Sequence, residues 1–148
     1  MDIPGILAGI LAALSAINPA PPAPWAQTLT QLDDRRSEAF RRADATLLQR
    51  VYANGSELSN ADAATVRAYA RRGWQVERVT FRLIDVKVIT ENDNSVTLGV
   101  IDQLRPVRVR KAGQRWTELP RDQPTQRRIV LTHSRVGWRI AAITRLAG

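Results

Sequence analysis

The sequence predicts an α+β domain in which three amino-terminal helices pack on a strongly curved antiparallel sheet, giving a cone-shaped molecule. Apolar residues recur at helical spacing up to residue 73 and at strand spacing from residue 76 to residue 146. The chain has 148 residues, of which 44% are hydrophobic and 24% are charged. This length and composition fit one soluble domain with a short appendage, and they exclude a two-domain enzyme and a multi-span membrane protein.

An apolar segment and a proline-rich spacer precede the domain. Residues 3–17 carry no charge, and as a helix they would span about 22 Å, short of a bilayer core of about 30 Å. Asp2 has the wrong charge for the start of a secretory signal. We expect residues 1–17 to be an anchor or signal-like segment, with a packing helix as the alternative. Residues 18–24 contain four prolines and predict a stiff spacer, so the domain proper is residues 25–148.

Three helices are predicted before residue 73. The first begins near Trp25, and Arg36 stands on its apolar stripe where a core residue is expected. Asp44 is the predicted N-cap of a short second helix. The third helix is predicted to open with the capping box Ser59–Asp62 and to end at Gly73.

The rest of the chain is predicted to form strands. A long first strand has a slip in its alternation at Leu83 and Ile84, which predicts a bulge that bends it. A return strand follows, then a short strand and a final hairpin. The predicted strands cover residues 76–90, 96–104, 115–119, 126–133 and 138–146.

Composition excludes several kinds of site. The chain has no cysteine and one histidine, so we expect no disulfide, no cysteine nucleophile and no metal site. It lacks a glycine-rich phosphate loop, and we expect no cofactor. The net charge of +8 comes from 20 arginines and two lysines scattered along the chain, a distribution that argues against nucleic-acid binding.

Two ionisable side chains share strand faces with apolar residues. Asp102 and His133, with Tyr52 or Tyr69 as a hydroxyl donor, are the candidates for acid–base chemistry inside the cone. The favoured interpretation is structural, because buried charges are normally paired. On that interpretation Asp102 forms a buried ion pair with Arg36.

Two stretches carry a resemblance to a known family. They are residues 32–52, LDDRRSEAFRRADATLLQRVY, with the Asp44 cap, and residues 136–140, VGWRI. In these the chain resembles the nuclear transport factor 2-like superfamily, which includes SnoaL-like cyclases and ketosteroid isomerase. A narrower resemblance, to actinobacterial extracytoplasmic domains of undefined role, is carried by the apolar amino-terminal segment and the Pro/Ala spacer together with a set of domain residues. They are Leu32, Asp33, Arg35, Arg36, Val51, Tyr52, Gly55, Ser56 and Asp102. That resemblance implies a binding or scaffolding module and carries over no catalytic residues.

We therefore expect a non-catalytic module, membrane-anchored or secreted, that binds a protein partner or a small apolar ligand. Trp116 is the candidate for an exposed partner contact. The resemblance also implies that a homodimer forms through the exposed face of the sheet. The alternative is a small cytoplasmic SnoaL-like cyclase, isomerase or dehydratase that uses Asp102 and His133.

Overall fold

A computed structural model describes residues 24–147 of the chain. The predicted anchor at residues 1–17 and all of the predicted spacer except Pro24 lie outside the described residues. Helix α1 spans Pro24–Arg42, a 3₁₀ helix spans Ala45–Arg50, and helix α2 spans Glu57–Arg71. Seven strands follow, and the predicted α+β order of helices before sheet is confirmed. They are β1 (Trp74–Val76), β2 (Phe81–Glu91), β3 (Ser95–Leu104), β4 (Arg108–Lys111), β5 (Thr117–Glu118), β6 (Thr125–Ser134) and β7 (Gly137–Arg145).

Helix α1 begins at Pro24, a residue assigned to the spacer by sequence; proline suits the first turn of a helix, where its missing N–H is not needed. The helix ends where Ala43 adopts the left-handed conformation with φ 53°. The N–H of Asp44 then donates to the carbonyl of Ala39, which closes the last turn. Asp44 is the N-cap of the 3₁₀ helix and accepts a hydrogen bond from the Thr46 N–H, as the sequence predicted.

The start of α2 differs from the prediction. The N-cap is Ser56, three residues before the predicted capping box at Ser59–Asp62. The Ser56 side chain makes no capping hydrogen bond, so the helix start lacks the side-chain signature that the sequence search used. Asp62 consequently lies in the second turn of α2, where its carboxylate can accept hydrogen bonds from residues of other elements.

The strands form two antiparallel sheets. The larger has the order β2-β3-β6-β7, and the smaller has the order β1-β4-β5. The predicted bulge in β2 is confirmed at the register shift between Leu83 and Asp85, and a second shift lies between Val88 and Thr90. These shifts bend β2 and curve the larger sheet.

The predicted strand over residues 76–90 is two strands in different sheets. Between them, the N–H of Val79 donates to Ser37 Oγ at 2.9 Å, and the N–H of Phe81 donates to Asp33 Oδ2 at 2.7 Å. Because side chains of α1 accept these two bonds, the segment that leads into β2 is held to the helix instead of extending a ladder.

The core lies between the helices and the inner face of the larger sheet. Along β3, inward positions at alternate residues are buried, and they end with a charged residue, Asp102. The 3₁₀ helix is joined to β7 by backbone bonds, since the Ile140 N–H donates to Val51 and the Ala53 N–H donates to Ile140, both at 2.8 Å. Within residues 24–147, no helix is long and apolar enough to cross a membrane.

Candidate ligand-binding cavity

A cavity of about 190 Å³ lies where the helices cover the curved sheet. It is lined mainly by apolar side chains from both layers, with five charged side chains and one tyrosine among them. The apolar walls are Leu29, Leu32 and Leu58 from the helices and Phe81, Leu83, Ile129, Ile140 and Ile143 from the sheet. The five charged side chains are Asp33, Arg36, Asp62, Asp102 and Arg127.

One ion pair lies on the sheet wall. Asp102 of β3 and Arg127 of β6 stand diagonally on the inner face, since Asp102 is opposite Thr125 and Arg127 is opposite Val100. Arg127 donates from Nε to Asp102 Oδ1 at 3.1 Å and from Nη2 to Oδ2. The Asp102 side chain is 2% exposed, so this bidentate partner is what allows a carboxylate to be buried there.

A second ion pair lies on the helix wall. Arg36 of α1 donates from Nε to Asp62 Oδ2 at 2.6 Å and from Nη2 to Oδ1 at 3.1 Å. Burial acts to lower the pKa of Arg36, but the hydrogen bond and charge of Asp62 outweigh it and raise that pKa above its usual value. The third nitrogen, Nη1, is buried without an acceptor, and the guanidinium lies 5.0 Å from the ring centroid of Phe40.

Tyr52 binds the carboxylate of the Arg36–Asp62 pair, called the helix pair below. Its hydroxyl donates to Asp62 Oδ2 at 2.5 Å, so this oxygen accepts from both Tyr52 and Arg36. Burial is the main cause that raises the pKa of Tyr52 above its usual value, and the negative charge of Asp62 adds to it. The hydroxyl therefore stays protonated and acts as a donor.

Asp33 is the remaining charged side chain of the cavity. It accepts the Phe81 N–H, yet burial raises its pKa from 3.8 to about 6. The sequence analysis did not single it out as a site residue. The available signal was its position on α1, four residues after Leu29 and three before Arg36, on the stripe that faces the sheet.

The predicted pair of Arg36 with Asp102 is wrong. Both residues line the cavity, but each has a different bidentate partner, Asp62 and Arg127 respectively. Asp102 is buried and paired with Arg127 of the neighbouring strand, which reaches the carboxylate across the same sheet face.

The predicted catalytic set is only partly brought together. Tyr52 and Asp102 line the cavity, whereas Tyr69 is a half-buried residue packed at the edge of the core. His133 is exposed at the end of β6, with its ring centroid 5.0 Å from that of Trp138, and is not among the cavity residues. It shares the inward-facing register of β6 with Ile129 and Leu131, but it is exposed at the end of that strand.

Trp116, the candidate partner contact, is half-buried next to the smaller sheet. The guanidinium carbon of Arg110 lies 4.4 Å from its ring centroid and that of Arg108 lies 5.8 Å away. Arg108 also forms an ion pair with Glu77. The Trp116 ring therefore makes cation–π contacts with arginines of its own chain at the surface.

No protein-family model matches the sequence, and neither does any curated protein. Several solved structures are similar in fold. One is the intermembrane space region of the chloroplast protein ARC6, with a TM-score of 0.56, 14% identity, and coverage of 88% of this chain and 100% of that one. Another is Aln2 from a Streptomyces species, with a TM-score of 0.53, 19% identity, and coverage of 85% and 93%.

A third similar structure is a nuclear transport factor 2-like superfamily protein from Salmonella enterica serovar Typhimurium. Its TM-score is 0.50 and its identity 15%, over 82% of this chain and 89% of that one. The chain has the nuclear transport factor 2-like fold. The fold expected from residues 32–52 and 136–140 is thereby confirmed. At these identities the likeness concerns the fold, and function has to be argued from the cavity of this nuclear transport factor 2-like domain.

Proposed function

We propose that this nuclear transport factor 2-like chain is a non-catalytic binding module that works outside the cytoplasm, attached or exported through residues 1–17. The observation that carries the proposal is that two carboxylates of the cavity already accept hydrogen bonds from protein side chains. Both oxygens of Asp102 are bound by Arg127, and both oxygens of Asp62 are bound by Arg36, with Tyr52 as a further donor. A general base needs an oxygen aimed at the substrate, and each oxygen of these two carboxylates already accepts a hydrogen bond from the protein, which fixes the carboxylate and leaves fewer lone pairs for a substrate.

The amino-terminal sequence supports the location. Residues 3–17 are apolar and uncharged, and a spacer with four prolines joins them to the domain. The ARC6 region with a similar fold lies in an intermembrane space, which is an example of this fold outside a stromal or cytoplasmic compartment. The binding partner on this proposal is a small apolar ligand in the cavity or another protein.

A second candidate function is an acid–base enzyme such as a cyclase, isomerase or dehydratase. One observation favours it: Asp33 lies in an apolar cavity with a pKa of about 6, close to the value at which a carboxyl group exchanges protons efficiently near neutral pH. On this alternative, Asp33 replaces His133 as the partner of the cavity carboxylates, because His133 is not a cavity residue.

Fractionation of the native host tests the location. We expect to recover the protein from the membrane or extracytoplasmic fraction. Mass spectrometry of the recovered protein identifies its amino terminus. The double variant Leu7→Lys/Leu11→Lys should move the protein to the cytosol, because a charge at the centre of an apolar segment strongly disfavours insertion. Val136→Lys is the matched control, since Val136 is 71% exposed in the domain and its substitution should leave the location unchanged.

Recovery of the unsubstituted chain from the cytosol with Met1 intact would contradict the extracytoplasmic proposal. The enzyme alternative would then be tested by Asp33→Asn, which removes the titrating carboxyl group and keeps its shape. The acid–base enzyme would be favoured if Asp33→Asn abolished a cyclase, isomerase or dehydratase activity of the chain while its melting curve showed that the variant is folded.

A further inference from the structure

The charges that line the cavity do not balance. Three carboxylates face two guanidinium groups, and each guanidinium is bound to one carboxylate, Arg36 to Asp62 and Arg127 to Asp102. Asp33 is left with the Phe81 N–H as its hydrogen-bond donor and with no cation of its own among residues 24–147. A carboxylate withdrawn from water is normally paired with a cation, so the cavity is one positive charge short.

We propose that the cavity binds a compact apolar amine, whose ammonium group pairs with Asp33 and whose hydrocarbon body packs against the apolar walls. The inference rests on the proposed function of a binding module and names the chemical class of its ligand. The ammonium supplies the missing charge. Leu29 and Leu83 contribute apolar surface to the same cavity, one from the helix layer and one from the sheet.

The size of the cavity limits the ligand. An apolar cavity of about 150 Å³ accepts a benzene molecule. At about 190 Å³ this cavity has room for one ring, or a short branched chain, with an aminomethyl group attached.

Charge distinguishes the amine from other small polar ligands. A carboxylate ligand would add a second unpaired negative charge next to Asp33, and an alcohol would leave the existing one without a cation. Among these three ligands, only the amine neutralises the ionised Asp33. The two guanidinium groups are already neutralised, because each has a carboxylate at hydrogen-bond distance, so Arg36 Nη1 offers a ligand a hydrogen bond but no unpaired charge.

The binding should depend on pH in a defined direction. Asp33 must be ionised to pair with an ammonium group, and burial raises its pKa to about 6. The other groups that act on it are the Phe81 N–H, Arg36 and Arg127, which lower its pKa, and Asp34, which raises it. The affinity for an amine should therefore fall as the pH decreases through about 6, approaching tenfold per pH unit below that value.

The experiment uses three probes of nearly equal shape, benzylamine, benzyl alcohol and benzoate, titrated into the full chain at pH 7.5. Binding is followed by calorimetry and by chemical-shift changes of backbone amides. We expect benzylamine to bind at least tenfold more tightly than the other two, with the largest shifts at Thr30, Asp33 and Phe81. Lowering the pH to 5 should weaken benzylamine binding about tenfold.

Asp33→Asn is the decisive variant. It keeps an oxygen acceptor for the Phe81 N–H and removes the charge, so benzylamine should bind no better than benzyl alcohol. Asp34→Asn is the matched control, because Asp34 is the next residue of the same helix, is exposed and does not line the cavity. This control should retain the preference for the amine, and melting curves confirm that both variants are folded.

Equal affinity for the three probes, an amine preference that survives in Asp33→Asn, or no binding by any probe would overturn the inference. The extracytoplasmic part of the proposed function would be untouched by these results, since it is tested by fractionation. Benzylamine that binds with the expected preference and is recovered unchanged after prolonged incubation supports both proposals. Its conversion to another compound would support an amine site and would overturn the non-catalytic function.

Discussion

The two ion pairs of the cavity use the same chemistry on opposite walls, yet they hold different things together. Asp102 and Arg127 belong to neighbouring strands, β3 and β6, which are already joined by backbone hydrogen bonds. Arg36 and Asp62 belong to separate helices, α1 and α2, with only the 3₁₀ helix between them along the chain. The sheet pair therefore neutralises a buried charge within a preformed surface, whereas the helix pair fixes the position of one element against another.

The two pairs also differ in the exposure of their carboxylates, and the sheet pair is the more deeply buried one. The Asp102 side chain is 2% exposed and that of Asp62 is 15% exposed. A broken sheet pair leaves a carboxylate with almost no access to water, and a broken helix pair leaves one that is partly hydrated. We therefore expect the energetic cost of breaking a pair to follow the burial of the remaining charge more than the number of hydrogen bonds lost.

Arg127→Met should have the largest effect. It leaves Asp102 buried without a cation, and we expect the free energy of unfolding at pH 7 to fall by about 3 to 5 kcal/mol. Chemical denaturation measures this value. The double variant Asp102→Leu/Arg127→Met removes both charges and should recover most of the loss. A double variant as unstable as Arg127→Met would show that packing, and not the unpaired charge, determines the effect.

Asp62→Ala should have a smaller effect, about 2 to 3 kcal/mol, because it removes the acceptor of Arg36 and Tyr52 while Arg36 keeps partial access to water. Hydrogen exchange locates the change. We expect faster exchange in α2 and little change in β3 and β6. If exchange in the two strands accelerated as much as in α2, the two walls would be a single cooperative unit and the comparison would fail.

Asp33→Asn should stabilise the protein at neutral pH. The pKa of Asp33 is about 6 in the folded state against a usual value of 3.8, so the folded state binds more protons between these values. The free energy of unfolding of the parent chain therefore falls as the pH rises from about 4 to 6, and the loss persists above 6. We expect the variant to be about 3 kcal/mol more stable at pH 7.5, the free energy that corresponds to the difference between the two pKa values.

The gain from Asp33→Asn should disappear below pH 4, where the aspartate is protonated in both states. Denaturation curves at pH 3.5, 5 and 7.5 follow it. A gain of the same size at all three values would mean that improved packing or hydrogen bonding, and not the removal of a charge, stabilises the variant.

Tyr52→Phe should have the smallest effect, about 1 kcal/mol, because it removes one hydroxyl donor while the Arg36 bonds to Asp62 remain. Thermal melting measures it. A double-mutant cycle with Asp62→Ala should give a coupling energy of similar size. No coupling would show that the hydroxyl contributes nothing to the helix pair.

Features that depend on neighbouring residues were predictable from the sequence. The Asp44 cap and the final hairpin were placed correctly, and so was the bulge near Leu83. Each is determined within a few positions by a capping side chain, a turn or a change in alternation. The start of α2 was not, because Ser59 offers a better capping signature than Ser56, while packing against the rest of the domain selects the earlier start.

The partners of long charged side chains were not predictable. Arg36 and Asp102 both belong to the cavity, as their positions on apolar faces indicated, but an arginine reaches several carboxylates once the elements pack. The periodicity of apolar residues predicts which face of a helix or strand a side chain occupies, but it does not predict which residues of other elements lie opposite that side chain. The same limit explains His133, which has the predicted inward register and is exposed at the end of β6.

The contact between Trp25 and Trp138 has a consequence for how the chain folds. The two aromatic rings meet edge to face with their centroids 4.8 Å apart, so the amino-terminal end of the first described helix contacts the start of the last strand. During synthesis, the start of α1 lacks this contact until β7 has been made. Formation of the contact closes nearly the whole domain as one loop, and such long-range closure slows folding.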